Sequence, residues 1–252
     1  MVDTAAELRL DVEGPVARVT LTRPERRNAL TFATWQALTE VGGALPDDVR
    51  IVVVRGDGPS FCDLRAFQEG ASDEGSFAEL ARLDEEALDE RVAAAQSAYT
   101  WLRRPEIVSV AAVQGHAIGA GFQLALACDL RVMADDVQLC MKEPSLGLVP
   151  DLGGTKNLVD TVGTGRAIEI CLTGRRIGAV EARELGLAQL VVERAELDAS
   201  VRDLTAALLV TPRDAAAATK ELLQAASRRT LEEQLVAERR AQVGRLRALF
   251  GH

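Results

Sequence analysis

From Ile107 to Cys128 the chain carries no formal charge, and no other stretch limits the fold as much. On length alone it could cross a bilayer. Gln114, His116 and Gln123 interrupt it, however, and Gly115, Gly119 and Gly121 cluster at its middle. Polar side chains are costly in lipid, so the stretch predicts a buried strand, a glycine-rich turn and a short buried helix over Phe122 to Cys128. Ile51-Val52-Val53-Val54 and Leu130 to Met133 are further apolar strand segments, the first patterned for burial on both faces. Between them lie helical patterns. One begins after Thr31 as N-cap and runs to about Leu45, one covers Phe77 to Arg104, and helices dominate from Thr155 onward. Strands alternating with helices predict an α/β core with parallel pairing. A β-hairpin precedes it, with Leu8 to Val12 and Val16 to Leu21 flanking Glu13-Gly14-Pro15.

The tail from about Glu196 reads as amphipathic helix. Leu222, Leu223 and Ala226, then Leu231, Leu235, Ala237, Val243, Leu246 and Leu249, fall on helical spacing. So thin a tail cannot bury its own apolar stripe, and it is expected to pack on the core or on a neighbouring subunit. The expected division is a core over 1–195 and a C-terminal helical oligomerisation region over 196–252.

Composition removes several function classes. At 252 residues, 48% hydrophobic and 27% charged, the chain can fill a large core and is not disordered. With 29 basic and 38 acidic residues the net charge is −9, the wrong sign for a nucleic-acid binder. Cys62, Cys128, Cys140 and Cys171 form no C-x-x-C pair, and His116 and His252 are the two histidines. Reduced thiols and no metal site are therefore expected. Met1-Val2-Asp3-Thr4-Ala5-Ala6-Glu7 lacks the pattern of a secretory leader, so a cytoplasmic protein without membrane attachment is expected.

Three segments could carry chemistry. In Gln114–Gln123, small residues lie between a buried strand and a helix start, where a ligand could approach free backbone N–H groups. Such groups suit a developing oxyanion, although tight chain packing would use the same residues. In Met141–Thr155, Glu143 and Asp151 are acids among apolar neighbours, as a general acid/base with a raised pKa requires. Alternatively Glu143 is a solvated loop acid and Asp151 an N-cap. In Arg23-Pro24-Glu25-Arg26-Arg27 the arginines could meet phosphates, or simply form a solvated loop.

Taken in order, Arg23–Leu30, Val53-Val54-Arg55-Gly56 with Ser60-Phe61-Cys62, Gln114–Gln123, Glu143–Thr155, and Leu172–Ile177 with Ala182 and Gly186-Leu187 resemble the crotonase (enoyl-CoA hydratase/isomerase) superfamily across nearly the whole chain. The resemblance implies an α/β spiral of ββα turns with a helical C-terminal trimerisation region, in a homotrimer or dimer of trimers. It implies an acyl-CoA thioester substrate, with coenzyme A part of that substrate and no separate cofactor. Carried over by position, Ala120 is an oxyanion donor and Glu143 is the second of the two hydratase glutamates. The first falls at Gln123, whose amide cannot take up a proton and can only orient water or substrate. Asp151 matches an acid of some isomerase members. Isomerisation is therefore expected, with hydration or acyl-CoA binding without turnover as alternatives. Arg26, Arg27, Ala29, Cys62, Asp63, Leu64 and Gly119 fall at substrate-binding positions. The chain departs from the family pattern after Cys62. A few small residues, the other oxyanion donor among them, have no counterpart before Asp63, so either the loop is shortened or a mobile tip is missing from it.

Overall fold

The computed structural model describes residues 2–4, 7–63 and 80–251. The expected hairpin is Leu8–Glu13 (β2) with Val16–Leu21 (β3), registered Leu8 to Leu21 and Glu13 to Val16. Gly14, at φ 53°, makes the turn. Val2–Thr4 (β1) pairs antiparallel with β2 on its outer edge. From β3 onward the pairing is parallel, through Ile51–Gly56 (β4), Val108–Val113 (β5), Leu130–Ala134 (β7) and Leu190–Val192 (β10). Among the described residues the large sheet runs β1-β2-β3-β4-β5-β7-β10. A second, small sheet joins His116–Ile118 (β6), Gln138–Cys140 (β8) and Ile177–Gly178 (β9) in the order β6-β8-β9.

Alternation along β4 explains its unbroken apolar sequence. Val52 and Val54 face the main core with Val19, Ala111, Val113 and Phe122, while Ile51 and Val53 face a second core with Val110, Ala112 and Val132. The helices over the main core include Phe32–Ala44 (α1), Glu85–Thr100 (α2), Ala120–Ala127 (α3), Gly154–Val162 (α4), Thr164–Thr173 (α5) and Ala179–Glu184 (α6). Thr31 caps α1 as expected, in a reciprocal box with Thr34. The charge-free stretch is β5, β6 and α3, and every residue of α3 is buried.

The helical tail divides by role. Leu197–Val210 (α7) puts Leu197 and Val201 into the second core and so seals the far face of the sheet. Arg213–Ala226 (α8) is clamped by buried Lys220, whose Nζ donates to Arg104 O at 2.9 Å, Ile107 O at 2.7 Å and Asp129 Oδ2 at 2.6 Å. Leu231–Phe250 (α9) leaves Leu231, Leu235, Val243, Leu246, Leu249 and Phe250 exposed.

Candidate active site

The site grows from the end of β6. Gly119 takes φ 56° and ψ −120°, a backbone position open to glycine, and its N–H donates to Cys140 O at 2.8 Å. The chain then enters α3 at Ala120. As the first residue of a helix, Ala120 has no intrahelical acceptor for its N–H, and none of the described residues supplies one. Below it, Trp35 Nε1 donates to Tyr99 Oη at 3.2 Å and Tyr99 Oη donates to Ala120 O at 3.3 Å, which fixes the turn.

The other glycines of the cluster serve chain packing. A Cβ on Gly121 would lie 2.4 Å from Cys62 O, and one on Gly115 would lie 2.1 Å from Pro59 O. They let residues 59–62 run against this turn, where Cys62 N–H donates to His116 O and Ile118 N–H to Cys62 O, each at 2.9 Å. The packing reading thus holds at Gly115 and Gly121, while Ala120 keeps its N–H without an acceptor among the described residues.

A cavity of about 310 Å³ opens beside Ala120, walled by Phe32 and Trp35 of α1, by Leu88, Arg91, Val92 and Ala95 of α2, and by Glu143, Leu148, Val149, Asp151 and Leu152. Glu143 is only 6% exposed. Its Oε1 accepts a 2.7 Å hydrogen bond from Gln123 Nε2, while Oε2 is buried without a partner. Burial pushes the Glu143 carboxyl above the ordinary glutamate range, against the weaker opposing pull of the Gln123 hydrogen bond. Asp151 lies in the same wall but is solvent-exposed. Partial desolvation raises its pKa too, an effect solvent screens. It is not an N-cap, since Gly153 caps α4 with no side-chain bond.

The remaining expected positions divide. Gln123 is fully buried behind Glu143 and is not among the residues of the cavity wall. Its amide is already committed to protein groups. Arg27 pairs with Asp63 at 3.0 Å, and the Asp63 N–H donates to Arg27 O at 2.9 Å. Arg26 is exposed on the same loop, and Ala29 is buried. Cys62 is buried, its thiol pushed far up by desolvation and its backbone N–H and C=O both used. Leu64 lies outside the described residues, as does the part of the expected Phe77–Arg104 helix before residue 80. His116 meets Ser60 Oγ at 3.1 Å, and burial lowers its pKa.

Sequence reasoning missed Phe32 and Trp35. Their place in the first turn after the Thr31 cap was the available signal, since one turn puts both on one helix face. It also missed Asn28. This residue, at φ 56°, donates to Asp57 O and Ser60 O at 2.9 and 2.8 Å and accepts from Arg23 N–H at 2.9 Å, locking the arginine loop to the 57–60 turn.

Comparison with known proteins shows the family and the fold. The family model described as enoyl-CoA hydratase/isomerase matches residues 11–246. A carnitinyl-CoA dehydratase of Salmonella typhi is 34% identical over 237 residues, covering 90% of this chain and 83% of the relative. A candidate enoyl-CoA hydratase of Thermobifida fusca YX, solved in complex with acetoacetyl-CoA, superposes with a TM-score of 0.90 at 55% identity over 96% of this chain and 95% of that one. An enoyl-CoA hydratase of Bacillus anthracis superposes with a TM-score of 0.83 at 28% identity, over 97% and 95%.

Proposed function

Because the chain belongs to the enoyl-CoA hydratase/isomerase family, we propose that it moves the double bond of a 3-enoyl-CoA thioester into conjugation, with Glu143 as the single proton carrier. One observation carries this reading. Glu143 lines the cavity together with Ala120, whose N–H has no acceptor among the described residues, and its Oε2 is buried and unengaged, while the position of a second hydratase glutamate holds the buried amide of Gln123. Oε2 removes a proton from the α-carbon. The C–H electron pair enters a dienolate whose charge rests on the thioester oxygen, against the Ala120 N–H. Glu143 then returns the proton to the γ-carbon, leaving the double bond between the α- and β-carbons. One such N–H donor contributes about 3 kcal/mol to the barrier, and a placed carboxylate about a hundredfold or more. Raised basicity suits the acid/base role, since a carboxylate with an elevated pKa both accepts and returns a proton readily near neutral pH.

The arginine loop is assigned to the CoA moiety, with Arg26, Arg27, Ala29, Cys62 and Asp63 near it and Gly119 bending the chain beside the thioester. Arg26 is the exposed cation of that loop, and Arg27 is partly neutralised by Asp63. The apolar face of α9 is assigned to contacts in a homotrimer or dimer of trimers.

A second reading, hydration or dehydration, is favoured by the carnitinyl-CoA dehydratase relative and by Asp151, an acid in the same cavity that could hold a water. Purified protein given a 3-enoyl-CoA and a 2-enoyl-CoA separates the readings. Migration of the double bond supports isomerisation, water addition supports the second reading, and tight binding without turnover to either product rejects both.

A further inference from the structure

We infer that Gln123 is a positioning residue that clamps Glu143 through Oε1, leaves Oε2 as the only oxygen free to move a proton, and ties that carboxylate to the segment bearing Asp151. The inference rests on the reading of Glu143 as proton carrier and goes beyond it.

The amide has a single tenable orientation. Leu152 N–H and Gly154 N–H point at one end, at 2.9 and 3.2 Å, and a backbone N–H needs an acceptor, so that end is Oε1. The NH₂ end therefore faces Glu143 Oε1, at 2.7 Å. The fit is close enough to require glycine opposite, because a Cβ on Gly154 would lie 2.5 Å from Gln123 Cγ. Gly154 opens α4, so Oε1 accepts from the positive end of a helix whose cap residue, Gly153, offers no side chain. Polarised in that way, the amide donates more strongly to the carboxylate at its other end.

A glutamate here could not do this while ionised. One oxygen would satisfy Leu152 and Gly154, and the other would face Glu143 Oε1 with no proton to share. Two carboxyls in that contact titrate as a pair and hold one proton between them into higher pH. Glutamine supplies the hydrogen permanently, so Glu143 reaches its working state without that coupling.

Among the described residues, the titratable groups near enough to act on Glu143 through space include Asp151 from the cavity wall, Tyr99 of α2, Cys140 of β8 and Cys171 of α5. Burial pushes the phenol and both thiols upward, so they stay protonated in the acid range. Asp151 is the one that titrates there, and the Asp151→Asn profile, measured alongside, assigns the limb.

The test is the pH profile of kcat/KM for 3-enoyl-CoA in Gln123→Glu and Gln123→Met, with thermal melts of each. Loss of a hydrogen bond to an ionised group corresponds to about one to two pH units. The acid limb should move up by that amount in both variants, kcat on the acid side of the limb should fall about ten- to a hundredfold, and KM should hold, because residue 123 lies behind the cavity wall. An unmoved limb, with activity falling evenly at all pH, overturns the inference in favour of a scaffold role, and so does failure of both variants to fold. Glu143→Gln in the same assay keeps the two claims apart. Retained turnover there defeats the proton-carrier reading itself, whereas a dead Glu143→Gln with an unmoved limb at residue 123 defeats only the inference.

Discussion

Gly121→Ala tests how the site is held together. The new Cβ would meet Cys62 O at 2.4 Å and Cys62 C at 2.9 Å. Both are backbone atoms, so no side-chain rotation relieves the overlap, and either the 59–63 segment or the start of α3 must move. Overpacking of this kind costs about 1 to 3 kcal/mol. Moving the segment also weakens the hydrogen bonds of Cys62 with His116 and Ile118, each worth about 1 kcal/mol. The gain in helix propensity from glycine to alanine, about 1 kcal/mol, offsets part of this. The net loss is about 2 to 4 kcal/mol. For a chain of this size that lowers Tm by about 5 to 15 °C. The assay is thermal unfolding followed by circular dichroism, with Gly165→Ala as control. Gly165 is exposed in α5 with nothing near its Cβ position, so its substitution should leave Tm unchanged or raise it slightly. Because Ala120 precedes the displaced residue, turnover of Gly121→Ala should also fall below the loss expected from unfolding alone. A Gly121→Ala protein melting within 1 or 2 °C, roughly, of wild type would refute the packing argument.

Other substitutions read separate parts of the structure. Glu143→Gln should lower kcat by about 10² to 10⁴ while acyl-CoA still binds, measured by steady-state kinetics and calorimetric titration. The same variant has a stability signature. The folded-state pKa of Glu143 lies above its unfolded value, so folded protein holds the proton more tightly. The associated stability is present below the unfolded pKa and is lost as pH rises through the folded one. Glu143→Gln should therefore melt at or above wild type at neutral pH, with the difference shrinking toward about pH 4, as a melting series would show. Lys220→Met removes the buried cation that serves Arg104 O, Ile107 O and Asp129, leaving the Asp129 carboxylate with only neutral donors such as Ser109. It should cost about 3 to 5 kcal/mol in denaturant unfolding and loosen α8 from the core.

Much of this architecture was written locally. Thr31 announced α1 because a cap needs only its own side chain and the N–H three residues on. Ile51–Val54 announced a strand buried on both faces because its apolar residues admit no wet side. The order of motifs that the family shares singled out Glu143 and Ala120, and the fold brings both to the wall of one cavity. What stayed hidden depends on distant partners. The strands of the small sheet, β6, β8 and β9, are two or three residues long, too short to show a period. The committed state of Gln123 arises from contacts to residues 143, 152 and 154, brought together only by the fold. The sealing role of α7 was not visible either, since an amphipathic stripe does not say which face it will cover.

The account's central claim is tested most directly by a single-turnover experiment. Excess protein is mixed with a 3-enoyl-CoA, and the absorbance of the conjugated thioester is followed in wild type and in Glu143→Gln. The account predicts conjugation by wild type and a rate lower by about a hundredfold or more in the variant, at equal substrate occupancy. Equal rates in the two proteins, with the thioester bound in both, would contradict it.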